Sequence, residues 1–338
     1  MPTHMLKGKR IWVTGASGLI GSSLVRSLLE NGASQVIATG RNRNRLISAF
    51  KSVADNQHLL LVEYDSSNPI LPNVCHDLDF IFHAAGPMER EVVLQRPVSV
   101  VLPNITGMLS LCSFLRKQEE ETGRKGRLVV FSSVTVYNNP SHQDICVSET
   151  DTSHAATLHD PTACYSESKR MSEVIARSFV HQYHTDIVIA RFSTVYGYTT
   201  HIPHTAFYEA LTKALKGEDI VFQGSGFPRR DNIYLKDAID ALLLTALHGQ
   251  SGEAYNISSE GWGNQFAAVD EIADMIIRQV KAIKGDNSSQ VIVAGDMPRK
   301  AGILLSHSKL RSLGWQPHYT LEEGIRETIL EYLHYHQP

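Results

Sequence analysis

The 338-residue sequence predicts an α/β fold: a doubly wound parallel-sheet domain with a smaller mixed α/β lobe threaded into it. Three observations predict it. Short apolar, strand-like runs alternate with longer amphipathic ones from Arg10 to Arg191. The first strand ends abruptly in a glycine-rich turn that opens a helix, Gly15-Ala16-Ser17-Gly18-Leu19-Ile20-Gly21. Beyond Arg191 the rhythm breaks into loops, single helices and single strands, with no internal repeat or low-complexity linker. A threaded lobe explains that irregularity better than a separate tail domain. The division expected is 1–191 with about 229–257 in the sheet domain, and about 192–228 with 258–338 in the lobe.

Composition narrows the classes of function. A net charge of -3 gives no reason to expect nucleic acid or an anionic membrane as a partner. Cys75, Cys112, Cys146 and Cys164 are scattered, with no C-x-x-C pair and no secretory leader before them, which suits reduced thiols in a cytoplasmic protein. No apolar run reads as long enough to span a bilayer. The histidines form close pairs, His181/His184, His201/His204 and His334/His336, but no nearby Asp, Glu or Cys completes a ligand set, so no metal is expected.

In chain order, Arg10 to Thr14 is a short buried strand, and the amphipathic run after the glycines, Leu24-Val25 to Leu28-Leu29, is a helix stopped by Asn31-Gly32. Strand, glycine turn and helix together give the fingerprint its meaning. Gly15 permits the tight turn, Gly18 lets backbone approach a pyrophosphate, and Gly21 allows close helix–strand packing. The helix N-terminus, with Ser17, Leu19 and Ile20, offers N–H donors and positive potential to phosphates. A second strand, Gln35 to Thr39, runs into Gly40, Arg41, Arg43 and Arg45. An NAD site usually carries Asp or Glu at that place for the ribose hydroxyls; glycine followed by arginine suits a 2′-phosphate, so of NAD and NADP the second is favoured.

Leu59 to Glu63 and Asp79 to Phe82 are two further strands, closed by Asp65 and by His83-Ala84-Ala85-Gly86 at the edge where such sheets bind ligands. A long helix covers about Val98 to Lys117, ending in the solvated Glu119-Glu120-Glu121, and a fifth strand, Leu128 to Phe131, runs into Ser132 to Tyr137. Asn138 to Pro161 is polar and aperiodic, a long loop of the kind that walls active sites. An apolar helix then leads to about His184, and Ile187 to Ala190 is a sixth strand. Later come loops at Tyr198 to Pro203 and Gly224 to Arg230, helices at about Thr205 to Leu215, Lys236 to Leu247, Val269 to Ile283 and Leu321 to His334, and a strand at Glu253 to Ile257.

The helix after the polar loop carries the chemistry. Tyr165 and Lys169 are one turn apart, on one face. A fixed positive charge beside a phenol favours the phenolate and draws its pKa down from about 10 toward working pH. The pair could then move a proton to or from a hydroxyl or carbonyl.

Taken together, these features resemble the extended short-chain dehydrogenase/reductase family, in its nucleotide-sugar epimerase/dehydratase branch. Thr14 to Gly21 is similar to that family's T-G-x-x-G-x-I-G opening, Asp65 to its adenine-contacting Asp, and Asn104-Ile105-Thr106-Gly107 to its N-x-x-G helix. Ser133 precedes Tyr137 of a V-Y pair, Arg191 to Gly197 resembles R-x-x-N-V-Y-G, and Gly224-Ser225-Gly226 through Arg230-Asp231 to Asp237 resembles a further motif. Tyr255-Asn256-Ile257, Pro298-Arg299 and Leu313-Gly314-Trp315-Gln316-Pro317 extend the likeness almost to the end of the chain.

The resemblance implies a Rossmann domain binding NAD(P) through Gly15, Ser17, Gly18, Leu19, Ile20, Gly21, Arg41, Asp65, Ala84, Ala85, Gly86, Asn104, Tyr165 and Lys169. It implies Tyr165 as acid/base, Lys169 holding the nicotinamide ribose and lowering the tyrosine pKa, and Ser133 bonding the reacting oxygen. Thr135 is the rival to Ser133, because two residues on it lies on the same side of an extended chain. Thr135, Thr194, Arg230 and Arg299 fall at substrate positions, with the two arginines clamping a diphosphate. A homodimer through the helices near 98–117 and 161–184 is also implied.

The departures carry expectations too. Dehydratases of the family place Asp-Glu after the Ser/Thr; here Val134 and Thr135 stand there, and a valine cannot exchange a proton, which argues against dehydration. Thr194 replaces the usual Asn before V-Y-G. The expected reaction is 4-epimerisation of a nucleotide sugar by transient oxidation. NADPH-dependent reduction of a keto-sugar nucleotide is the alternative, and a non-catalytic dinucleotide sensor the alternative of another class.

Overall fold

A computed structural model describes the chain except residues 1–2, 74–75, 88, 139–142, 152–154, 225–226, 286, 296–298 and 336–338. Cys75, Ser225, Gly226, Pro298 and His336 of the motifs above lie outside the described residues. The strands are β1 (Arg10–Thr14), β2 (Gln35–Gly40), β3 (Leu59–Glu63), β4 (Phe80–His83), β5 (Arg127–Ser133), β6 (Ile145–Val147), β7 (Ile187–Phe192), β8 (Thr194–Tyr196), β9 (Ile220–Phe222), β10 (Arg230–Tyr234), β11 (Ala254–Ile257), β12 (Phe266–Ala267), β13 (Val291–Val293) and β14 (Ile303–Leu305). The helices are α1 (Leu19–Glu30), α2 (Arg43–Ala49), α3 (Arg90–Gln95), α4 (Pro97–Leu102), α5 (Met108–Thr122), α6 (Ala163–Tyr183), α7 (Ala206–Lys216), α8 (Leu235–His248), α9 (Val269–Lys284), α10 (Ser308–Ser312) and α11 (Leu321–Tyr335).

Seven strands form one parallel sheet in the order β11-β7-β5-β4-β1-β2-β3. Strand order reverses between β1 and β4, so the chain leaves the sheet in opposite directions there and opens a crevice at the carboxyl ends. Successive side chains of a strand point to opposite faces, and both faces are apolar. Val13, Val36, Phe82 and Val129 pack with Leu24, Leu28 and Leu242 of α1 and α8 on one side. Trp12, Ile81, Leu128 and Val130 pack with Leu111, Leu115 and Ala176 of α5 and α6 on the other. Such continuous apolar strands are legible in sequence because a parallel sheet is covered twice.

A second sheet runs β12-β10-β14-β6, with β8 paired to β10, and β13 pairs with β9. The sequence reading put β6 inside a long loop and assigned no strand to the rest, most of which have only two or three residues and so carry no periodicity. Ile145–Val147, inside the expected long loop, pairs in parallel with Ile303–Leu305.

One expectation is corrected here. Pro97–Thr122 is a continuous helical stretch long and apolar enough by length and composition to cross a bilayer. Its apolarity has a nearer cause: α5 covers the sheet and α4 packs on α6. The stretch is interrupted by a π-turn at Pro103–Gly107. Proline has no N–H to give the ladder, and π-turns recur at functional sites.

Candidate functional site

The glycine turn is built to be filled by something other than side chains. Gly15 has φ +64°, and a methyl group there would lie 2.7 Å from the Ala84 carbonyl oxygen and 2.8 Å from the Ala85 nitrogen. A methyl at Gly21 would collide with the Gly15 carbonyl, so that glycine lets α1 close on the turn. Gly18 caps α1 without a side-chain hydrogen bond, and the first turn holds no acidic residue. Those backbone donors and the positive end of the helix remain available to a phosphate. This cradle fits the pyrophosphate of a dinucleotide.

Around it the loops are locked by His83. Its Nε2 lies 3.1 Å from the Pro103 carbonyl, which can only accept, so Nε2 carries the proton. Nδ1 therefore accepts from the Thr14 hydroxyl at 2.9 Å, and Thr14 Oγ1 accepts the Ala85 N–H at 3.2 Å. Burial, then the charge of Lys169, push His83 down to about 4, against the raising influence of the Pro103 bond. A neutral imidazole thus joins the ends of β1 and β4 to the π-turn. Within that turn Asn104 donates to Val100 O and to Ser168 Oγ, both at 3.0 Å. A methyl at Gly86 would sit 3.4 Å from Asn104 Oδ1 and 3.5 Å from Lys169 Nζ, so Ala84-Ala85-Gly86 borders the lysine directly.

Ser133, Tyr165 and Lys169 come together at the carboxyl edge. Ser133 ends β5, and its Oγ accepts the Thr135 N–H at 3.2 Å, capping a short 3-10 turn over Val134–Val136. Its hydrogen bond to the Tyr165 phenol favours the phenolate, but burial is the larger influence and raises the phenol above its ordinary value. Lys169 is buried and donates to the Phe131 carbonyl at 2.8 Å. Burial lowers the ammonium to about 8, with Glu173 opposing.

Several expectations change here. Burial outweighs the hydrogen bond from Ser133 at the Tyr165 phenol, so the net direction is up rather than the downward one expected from a neighbouring ammonium. Thr135 is exposed in the turn, so the extended geometry that made it Ser133's rival does not exist. Asp65 is exposed and accepts the Ser67 N–H and hydroxyl, forming its own turn. Thr194 begins β8, paired in register with Asn232. Arg230 is exposed at the start of β10 with no ion pair among the described residues, while Arg299 pairs with Asp270 at 3.5 Å and Glu271 at 3.4 Å. The expected two-arginine clamp is therefore one free arginine and one engaged one. Ser17 lies near Gly40, where a methyl would be 3.5 Å from Ser17 Oγ. Arg41, Arg43 and Arg45 are exposed and enter no ion pair among the described residues.

Sequence reasoning passed over Glu173, although it stands four residues beyond Lys169 and so continues the Tyr165 face. A cleft of about 450 Å³ lined by Leu244, His248 and Trp315 lies apart from all these residues. Among the described residues, no group of three His, Cys, Asp or Glu side chains could hold a metal.

Comparison with known proteins adds the chemistry of relatives. The model of the NAD dependent epimerase/dehydratase family matches residues 11–258. The chain is 26% identical over 340 residues to an Escherichia coli dTDP-glucose 4,6-dehydratase, covering 96% of this chain and 92% of that protein. Among solved structures, a UDP-glucose 4-epimerase from Thermotoga maritima in complex with UDP-glucose superposes with a TM-score of 0.78 at 23% identity, covering 97% of this chain and 100% of that one. A dTDP-glucose 4,6-dehydratase from Bacillus anthracis in complex with NAD gives 0.76 at 22%, covering 97% of each. These findings overturn the expectation that Val134 and Thr135 argue against dehydration, because dehydratases stand at the head of the similar proteins.

Proposed function

The chain belongs to the NAD dependent epimerase/dehydratase family, and from that premise we propose that it oxidises a hydroxyl of a nucleotide sugar transiently, with 4-epimerisation as the net reaction. The observation that carries the reading is the set at the sheet edge: half-buried Tyr165 bonded to buried Ser133, and buried Lys169 fixed to the Phe131 carbonyl beside Gly86. Gly15, Gly18 and Gly21, with the first turn of α1, would hold the pyrophosphate. Ala84 to Gly86, Asn104 and Lys169 would flank the nicotinamide ribose, and Asp65 the adenine. When bound, the cofactor supplies the hydride acceptor and, in its oxidised form, a positive charge that favours the phenolate.

In this reading Tyr165 removes the sugar hydroxyl proton and later returns it, and Ser133 donates to the reacting oxygen. Ser133 Oγ accepts the Thr135 N–H, which leaves its hydrogen turned to the Tyr165 oxygen; with substrate bound, that hydrogen would turn to the reacting oxygen. Arg230 would meet the diphosphate. A homodimer contact through α5 and α6 would cover the exposed apolar side chains Leu109, Met171 and Val174.

A specific observation favours a second reading, reduction of a keto-sugar nucleotide with NADPH. Arg41, next after β2, and Arg43 and Arg45, in the first turn of α2, are exposed and enter no ion pair among the described residues, where a 2′-phosphate would lie. Incubation with UDP-glucose or dTDP-glucose and NAD, and separately with their 4-keto forms and NADPH, tests the choice by proton NMR of the sugar. A 4-epimer supports the first reading, nicotinamide consumption the second, and a 4-keto-6-deoxy product from the parent sugars contradicts both.

A further inference from the structure

Glu173 occupies an expensive position. Its carboxylate is buried on the face of α6 that carries Tyr165 and Lys169, one turn beyond the lysine. Arg191 holds it bidentately, Nε to Oε1 at 3.0 Å and Nη2 to Oε2 at 2.7 Å, and Ser132 donates to Oε1. The sheet register explains this convergence: Ser132 and Arg191 are direct partners across β5 and β7, and the period of two sends both toward α6 with Val130 and Ile189. Arg191 also donates to the Tyr137 hydroxyl at 2.7 Å and the Glu149 carbonyl at 3.3 Å, and Tyr137 donates to Asn256 Oδ1 at 2.7 Å. For stability alone, well-packed apolar residues would serve as well as such a buried pair.

We propose that Glu173 is a positioning residue for the reaction: it is the counter-charge that keeps the buried Lys169 side chain an ammonium ion, and Arg191 and Ser132 hold it there. The groups around the amine leave that task to no other anion among the described residues. From β4 comes His83, a neutral imidazole; from the π-turn, the Asn104 amide; from β5, the Phe131 carbonyl. The turn after β5, packed on α6, ends in the phenol of Tyr137, and β7 offers Arg191, a second cation that shares the Glu173 carboxylate with the ammonium. The Glu149 carboxylate is turned to the Asn256 N–H at 2.7 Å. On the neighbouring helices, α4 has no charged residue and those of α5 begin at Arg116. Burial favours the neutral amine, and Glu173 is the group that works against it.

The test reads Lys169 itself and so stands whichever sugar or cofactor is used. In protein labelled with ¹³Cε-lysine, the Lys169 resonance is the one lost in Lys169→Met, and its shift is followed with pH. The native midpoint is expected near 8; Glu173→Gln is expected to lower it by about one unit, the effect of one nearby charge. Glu173→Asp keeps the charge on a shorter stem and should fall between the two. A Gln variant that titrates with the native protein overturns the proposal, as does an Asp variant no higher than the Gln one. Should the Gln variant fail to fold, the Asp variant decides: a midpoint below native supports the proposal, and an unchanged midpoint overturns it.

Discussion

The Lys169 ammonium donates to the Phe131 carbonyl at 2.8 Å, two residues before Ser133. That bond ties α6 to β5 at the point where the proposed acid/base and the proposed hydroxyl donor must meet. It also means that the lysine is anchored to backbone, while the phenol's own hydrogen bond is to Ser133. Removing the amine should therefore disturb what Lys169 holds more than it disturbs the fold. Lys169→Met is expected to melt close to native, since burying an ammonium is costly, and to bind NAD at least roughly tenfold more weakly, about 1.4 kcal/mol. Calorimetric titration with NAD checks it.

Gly15 is the glycine of the turn with a left-handed backbone, and its missing side chain is where Ala84 and Ala85 approach. Gly15→Ala should force the β1 and β4 loops apart and abolish dinucleotide binding, with a loss of about 1–3 kcal/mol in stability from the strained conformation. Gly123, also left-handed but with open space around it, should lose comparable stability on change to alanine yet keep its NAD affinity in the same titration.

The buried neutral His83 makes stability depend on acid. Its pKa falls from 6.5 to about 4 on folding, so between those values the unfolded chain binds more protons and stability drops as pH falls. The contribution is complete above 6.5 and lost on the way down through 4, at most roughly 3 kcal/mol. Asp231, raised to about 6 by burial, acts in the opposite sense over part of that window. The comparison of native with His83→Gln isolates the imidazole: the native chain should lose more stability between pH 6.5 and 4 in urea denaturation than the variant.

If the arginines at the end of β2 meet a 2′-phosphate, Arg41→Ala should weaken NADPH binding roughly tenfold while NADH affinity stays within about twofold. Equal losses for both cofactors would remove the arginine from that role.

The parallel sheet was readable because β1 to β5 and β7 are apolar runs, and β1 to β4 are closed by Gly15, Gly40, Asp65 and His83 at or just past their ends. The short strands were not. β6, β8, β12 and β14 owe their existence to partners up to about 160 residues away, as in the pairing of Ile145 with Ile303, and two or three residues hold no pattern of their own. At the site, Gly15, Asn104, Ser133, Tyr165 and Lys169 were found by spacing and resemblance and do converge. Thr135 and Arg299 show the limit of spacing. A 3-10 turn capped by Ser133 exposes the first, and Asp270 and Glu271 at the start of α9 engage the second. The direction of the Tyr165 shift was also out of reach, because it depends on how deeply the phenol is buried rather than on which residues neighbour it in sequence.

The proposed proton transfer at Tyr165 is tested most directly by a single turnover. Native protein loaded with NAD and mixed with UDP-glucose or dTDP-glucose should give transient absorbance at the wavelength of reduced nicotinamide. Tyr165→Phe should bind NAD with native affinity and give none. Equal absorbance from the phenylalanine variant would show that the phenol does not carry the proton.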